Sequence, residues 1–182
     1  MISLTTPRLT LRNFRPADAA DLRELVVQYG ASPLGIYDHK WPTTAEEIRP
    51  VVDWFASGDQ FLAVCLKETG QLIGFVTLGR TENAEGIEYN LGYVFNERFH
   101  GQGYAAEACR VLLAHGFNAW GAQRVVAGTA ALNERSCRLL ARLGFRKVAE
   151  APTHFQTAPD GTPYEFTGCL FALTREEWGG ER

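Results

Sequence analysis

The sequence predicts an α+β fold: a mixed, mostly antiparallel sheet of about seven strands flanked by about four helices. Three observations carry this expectation. Strand-period and helix-period runs mix along the 182 residues without the regular strand–helix–strand repeat of a parallel sheet. Hydrophobic residues make up 46% and charged residues 21% of the chain, the balance of a globular protein. A chain of this length buries about 70% of its unfolded surface without staples, and no repeat, low-complexity tract or linker divides it, so one domain over residues 1–182 is expected.

The elements follow in order from the residues. Leu9-Thr10-Leu11-Arg12 alternates and reads as a strand. Pro16, at a favourable first-turn position, opens a helix whose apolar face is Leu22, Leu25 and Val26. Tyr29 to Pro42 is aromatic and punctuated by glycine and proline, hence loop. Thr44-Ala45-Glu46-Glu47 begins a second helix with the stripe Ile48, Val51, Val52 and Phe55, ending near Ala56. Phe61–Lys67 and Gln71–Leu78 are strands joined by Glu68-Thr69-Gly70. A polar loop, Thr81 to Gly86, precedes the strand Ile87–Phe95. A third helix then runs to about Trp120, its stripe set by Ala105, Ala108, Cys109, Leu112, Leu113 and Phe117 at i, i+3, i+4, i+7, i+8 and i+12. Arg124–Gly128 is a short strand, Glu134–Arg142 a helix and Phe145–Glu150 a strand. The Pro159-Asp160-Gly161 turn leads to a last strand from about Glu165 to Leu173.

Composition excludes several function classes. A net charge of −3 gives no footprint for nucleic acid, which usually shows as a basic face. Arg135, Arg138, Arg142, Arg146 and Lys147 cluster locally, and read either as solvated surface charges or, for one or two of them, as partners of a phosphate-rich ligand. Cys65, Cys109, Cys137 and Cys169 are widely spaced with no C-x-x-C or zinc pattern, so free thiols in a reducing compartment are expected. The N-terminus carries no basic-then-apolar signal segment, and no apolar run approaches the roughly 20 residues of a membrane span. The expectation is a cytoplasmic protein without nucleic-acid, membrane or metal partners, as a monomer or homodimer.

The most informative stretch is Arg98-Phe99-His100-Gly101-Gln102-Gly103-Tyr104-Ala105, between a strand and a helix. Its backbone N–H groups stand at a helix entrance, where four donors lack intrahelical partners and the dipole favours an anion. Ala106 breaks the G-x-G-x-x-G register and no G-K-[ST] follows, so neither better-known phosphate loop fits. Alone, this turn reads first as an ordinary tight strand-to-helix connection.

R-x-x-G-x-G after a strand, Asn133-Glu134-Arg135-Ser136 some thirty residues on, and Leu143-Gly144-Phe145 together resemble the GNAT superfamily of acetyl-CoA-dependent N-acetyltransferases. Thr6-Pro7-Arg8-Leu9-Thr10-Leu11-Arg12, Leu91-Gly92-Tyr93 and G-Q-G-Y-A-A-E-A from Gly101 resemble its branch of Rim-type ribosomal-protein N-terminal acetyltransferases. The resemblance spans about residues 7–173 and leaves a short C-terminal tail. It implies a twisted sheet whose central strands splay, with the pantetheine arm of acetyl-CoA entering between Ile87–Phe95 and Arg124–Gly128. It implies a cofactor-binding set of Tyr93, Val94, Phe95, Arg98, His100, Gly101, Gln102, Gly103, Tyr104, Ala105, Asn133 and Ser136. Gly92 is where the strand could bulge, freeing an N–H near Tyr93 or Val94 to polarise the thioester carbonyl; it reads also as a gap for a bulky neighbour.

Two departures bear on catalysis. Where many family members carry a tyrosine that protonates the leaving thiolate, this chain has Leu140; Ser136, one turn earlier, is the nearest hydroxyl. Where Rim-like relatives often carry an acid two residues before the Gly-Tyr pair, this chain has Asn90. Glu88 shares a strand face with Asn90 and Gly92 and is the candidate to bind the incoming amine. Tyr37, His39, Trp41 and Asn90 are the candidate acceptor contacts, and His154 lies in a second aromatic loop. The implied reaction is direct acetyl transfer to a primary amine, a protein N-terminal α-amine first and a small-molecule amine second. A non-catalytic acyl-CoA sensor is the third possibility, raised by Leu140 and Asn90.

Overall fold

The computed structural model describes residues 1–83 and 86–180. Eight strands form one sheet in the order β1-β2-β3-β4-β5-β6-β8-β7. They are β1 (Ser3–Thr5), β2 (Leu9–Asn13), β3 (Phe61–Leu66), β4 (Leu72–Asn83), β5 (Gly86–Phe95), β6 (Arg124–Ala130), β7 (Arg146–Thr153) and β8 (Phe166–Thr174). Neighbours pair antiparallel except β5 and β6, which run parallel. Five α-helices are described: α1 (Ala19–Ala31), α2 (Ala45–Ala56), α3 (Tyr104–Asn118), α4 (Glu134–Arg142) and α5 (Arg175–Gly180). The expected polar loop from Thr81 to Gly86 shrinks, because β4 continues to Asn83 and β5 starts at Gly86. Residues 84 and 85 of that loop, and 181 and 182 of the tail, lie outside the described residues.

Each face of the sheet buries its own core. On one face α3 and α4 cover Leu9, Leu11, Val64, Ile73, Val76, Leu78 and Leu91. The helix stripe expected from sequence supplies Ala108, Cys109, Leu112, Leu113 and Phe117, each at most 1% exposed. On the other face α1 and α2 bring Leu22, Leu25, Val26, Ile48, Val52 and Phe55 onto Ala63, Cys65, Leu72 and Phe75. Burying side chains of this size stabilises by about 1.5–3 kcal/mol each before the ordering entropy is counted.

Local chemistry sets the ends of these elements. Pro16 begins a short 3₁₀ turn, Pro16–Asp18, ahead of α1. Asp18 is buried there, held by Arg12 at 2.7 and 2.8 Å and by the Arg15 N–H at 2.8 Å. Thr44 and Glu47 form a reciprocal capping box at the start of α2. β1 and α5 are additions to the expected seven strands and four helices. Three residues of β1 are too few for a period to register, and α5 is a six-residue coda capped when Glu177 accepts from the Thr174 N–H and hydroxyl, both at 2.9 Å.

Candidate active site

Three register pairs join β5 to β6: Glu88–Arg124, Tyr89–Val125 and Asn90–Val126. Beyond Asn90 the ladder stops, although β5 runs on to Phe95 and β6 to Ala130. The strands therefore splay into a wedge. Peptide groups of alternate residues point to opposite edges of a strand. The Asn96 N–H bonds to the Ile73 carbonyl on the β4 side, and the Ile87 carbonyl accepts from the Gln123 N–H on the β6 side. Odd-numbered residues of β5 thus address β6, and the N–H groups of Tyr93 and Phe95 open into the wedge.

Gly92 makes no bulge. β4 and β5 keep one unbroken register from Gly74–Phe95 to Asn83–Gly86. A Cβ at Gly92 would stand 2.7 Å from Thr77 Cγ2, so the residue is a gap for its cross-strand neighbour. The peptide N–H of Val94 consequently turns to β4, and its side chain packs on the α1/α2 core, away from the wedge.

The mouth of the wedge is the turn Glu97–Gly103. Gly101 and Gly103 take φ of +76° and +83°, which favour glycine, and Gly103 is the N-cap of α3. Among the described residues no N–H from Gly101 to Ala105 has a protein acceptor; the first bond inward is from the Glu107 N–H to the Gly103 carbonyl. Five successive donors at a helix entrance fit a diphosphate. His100 spans the mouth: its Nδ1 accepts from Arg135 Nη1 at 3.1 Å, so Nε2 carries the proton and donates to the Phe95 carbonyl at 2.9 Å. Of the basic cluster only Arg135 reaches this turn. Arg138 pairs with Glu134, Arg146 with Glu177 and Lys147 with Glu150, while the Arg142 carbonyl accepts from Arg110. Arg98 leans to Glu24 on α1, at 3.5 Å, and its carbonyl accepts from Gln102.

Deeper in the wedge, the Tyr93 hydroxyl and Ser136 Oγ are 2.7 Å apart. This bond joins β5 to the first turn of α4 across the gap. Asn133 caps α4 by accepting the Ser136 N–H at 3.2 Å, so the serine hydroxyl is not used as a cap. Ser136 is 9% exposed. Burial pushes the Tyr93 phenol well above its ordinary value, outweighing the lowering effect of its serine bond, so it stays protonated at neutral pH. Leu140 is fully buried in the core. The Tyr93 hydroxyl was not legible as a site group, because only the β5–α4 juxtaposition brings it to Ser136.

The carboxylate of Glu88 is not free. Its Oε2 pairs with Arg124 at 2.9 Å and its Oε1 accepts from Thr81 at 3.1 Å, at 8% exposure. It stands at the closed end, where β5 and β6 still pair, so an incoming amine would meet it as one member of an ion pair. On the same face lie the cross-strand pairs Thr77–Gly92 and Gly79–Asn90; the Gln60 side chain covers Gly79, and Asn90 is exposed.

Two loops are tied together. Gln156 donates to the carbonyls of Gly35 and Asp38, at 2.8 and 2.7 Å. Tyr37 packs on Phe166 and His39 on Phe155, with ring centroids 5.2 and 4.4 Å apart. The Tyr29 hydroxyl, raised by burial and the adjacent Asp38, donates to that carboxylate at 3.0 Å and steadies the first loop. Trp41, in contrast, packs inward on Phe55 and Phe75. Its Nε1 and Thr77 Oγ1 are buried polar atoms without partners among the described residues. His154 is exposed. All four cysteines are free; Cys65, Cys109 and Cys169 are buried and Cys137 half-buried. No group of described residues is arranged to hold a metal, and no described helix is long and apolar enough to cross a membrane.

Comparison with known proteins bears on this geometry. The family described as acetyltransferase (GNAT) domain matches residues 8–146. The Bacillus subtilis (strain 168) protein named "Putative ribosomal N-acetyltransferase YdaF" is 28% identical over 96% of this chain and 95% of its own length. An Aspergillus fumigatus protein, FsC-acetyl coenzyme A-N(2)-transacetylase, is 29% identical over 60% of this chain and 48% of its own. Among solved structures, ribosomal-protein-S5-alanine acetyltransferase from Vibrio fischeri superposes with a TM-score of 0.80 at 20% identity, covering 98% of this chain and 99% of that one.

Proposed function

This chain belongs to the family of GNAT acetyltransferases, enzymes that use acetyl-CoA, and we propose that its acceptor is the α-amine of a protein N-terminus. The observation that carries the reading is the wedge beyond Asn90–Val126, with the unpaired amides of residues 101–105 at its mouth. Acetyl-CoA supplies the activated acetyl group. The amides of the turn grip its diphosphate, with His100 and Arg135 beside them. The Tyr93 N–H donates to the thioester oxygen as charge builds there. Ser136 donates a hydrogen bond to the departing sulfur, and the proton the amine loses ends on the CoA thiol through water.

The acceptor class follows from what receives the amine. With Glu88 engaged by Arg124, the α1/α2 face of β5 offers the amide of Asn90 but no free carboxylate. An α-amine of pKa near 7.7–8.0 is already roughly a tenth neutral at pH 7, whereas a lysine is neutral in about one molecule in 2,500. That difference, about 3.5 kcal/mol, favours an amine that needs no strong base. The names of the Bacillus and Vibrio relatives support a Rim-type acceptor. The Aspergillus relative, whose name carries no ribosomal acceptor, favours a small amine as the second reading. Free, mostly buried thiols accord with a cytoplasmic setting.

Thiol release from acetyl-CoA with a panel of amines tests this. Peptides with a free N-terminus should turn over, with kcat/KM rising as pH climbs to about 8, where the α-amine becomes neutral, and then levelling. N-terminally blocked lysine peptides should be poor acceptors. Preference for blocked lysine peptides would overturn the acceptor assignment, and CoA binding without turnover on any amine would mark a sensor instead.

A further inference from the structure

The opening motif Thr6–Arg12 has no part in the chemistry above, yet Arg8 reaches the phosphate turn from 94 residues away. The Thr6 hydroxyl donates to Glu107 Oε1 at 2.5 Å, and the Arg8 N–H donates to the same oxygen at 3.0 Å. The Arg8 guanidinium forks over the other oxygen through Nε at 2.7 Å and Nη2 at 2.6 Å. Its third arm, Nη1, donates to the Gln102 carbonyl at 2.9 Å. The group lies 4.4 Å over the Tyr104 ring, and Nη2 stands 3.4 Å from where a Gly103 side chain would begin.

Two physical consequences follow. A trans peptide points its C=O and N–H in opposite directions. With Arg8 holding the Gln102 carbonyl, the Gly103 N–H is aimed to the side away from Arg8 and kept there. Glu107, in the first turn of α3, would also repel an anion at that helix entrance. Arg8 cancels its charge. An exposed ion pair is worth little by itself. Here one planar side chain makes three directed bonds and stacks on a ring, a geometry that a lysine cannot copy.

We propose that Arg8, with Thr6 and Glu107, is a positioning residue for diphosphate binding: the turn between β1 and β2 holds the Gln102–Gly103 peptide in its donor orientation and neutralises the helix entrance. The proposal rests on the acetyl-CoA reading above. Its test compares the full-length wild type with Arg8→Met and Arg8→Lys. CoA affinity is measured by calorimetry, thermal unfolding by circular dichroism, and turnover with acetyl-CoA and with acetyl-pantetheine, which lacks the diphosphate. Arg8→Met should weaken CoA about tenfold, the worth of one charge-assisted hydrogen bond, and Arg8→Lys about threefold or more. The kcat/KM for acetyl-pantetheine should stay near wild type in both. Unchanged CoA affinity in folded Arg8→Met overturns the proposal. So does an equal loss with both donors, which would make Arg8 a general support of the domain. Failure of the wild type to bind CoA would instead sink the acetyl-CoA reading.

Discussion

Tyr93 and Ser136 show how one hydrogen bond can orient another. A phenol is a stronger donor than an aliphatic alcohol, and when Tyr93 donates the 2.7 Å bond the Ser136 hydrogen is left to point elsewhere. The serine N–H is already committed to Asn133, and the hydroxyl is nine-tenths buried beside the wedge. A chain of two donors strengthens the second. Ser136→Ala should lower kcat about tenfold with CoA affinity little changed, and Tyr93→Phe should lower it by a smaller factor that vanishes in the Ser136→Ala background. Steady-state thiol release with parallel calorimetry checks both; wild-type kcat in Ser136→Ala would return the hydroxyl to a structural role. Ser136 was legible as a candidate because N-x-x-S is a local motif. The Tyr93 hydroxyl and the Glu88–Arg124 pair were not, since each depends on a partner 36 or more residues away whose approach only the register fixes. Acid should disturb the site through Glu107. Burial opposes its ionisation, but bonds from Thr6 and Arg8 outweigh that and hold its pKa below the ordinary value. Its contribution is therefore complete at neutral pH and is lost as pH falls below about 4.3 and through the lowered folded value. The difference in unfolding midpoint between wild type and Glu107→Gln should be widest near pH 7 and close in acid.

At the scale of elements, the turn entering α3 concentrates the binding chemistry. Gly103 holds φ +83° at the N-cap, where a β-branched residue is strained. Gly103→Val should abolish CoA binding as measured by calorimetry, by at least about tenfold, through lost turn geometry. Its thermal unfolding should remain cooperative, because the turn is exposed and the helix stripe is untouched. Unaltered affinity would remove the turn from the site. α3 itself was readable from six apolar positions on one 3.6-residue stripe. The continuation of β4 to Asn83 and of β7 through Pro152 was not, since polar and proline residues mark a loop unless an antiparallel partner claims them.

At the scale of the molecule, the parallel seam between β5 and β6 divides the work. The α3/α4 layer brings the turn, Tyr93 and Ser136 to one side; the α1/α2 layer and two loops belong to the other, where Asn90 lies. Gln156 ties those loops across 121 residues of chain. Gln156→Ala should raise KM for a peptide acceptor several-fold while leaving CoA affinity at the wild-type value, a split read from kinetics and calorimetry together. Weakened CoA binding would show that the two sides are not independent.

By itself the sequence determined what is local. The apolar faces of the helices could be anticipated from stripes of period 3.6, the phosphate turn from glycines between a strand and a helix, and the family from motifs written in short runs. Tertiary structure decided what is shared between distant segments: where β5 and β6 part, which hydroxyl Ser136 meets, that Glu88 is taken by Arg124, and that Arg8 reaches back to the turn. The physical reason is that periodicity and backbone preference act over a few residues. Hydrogen bonds and ion pairs are directional and act over about 3 Å, so their partners exist only once the sheet register has been set.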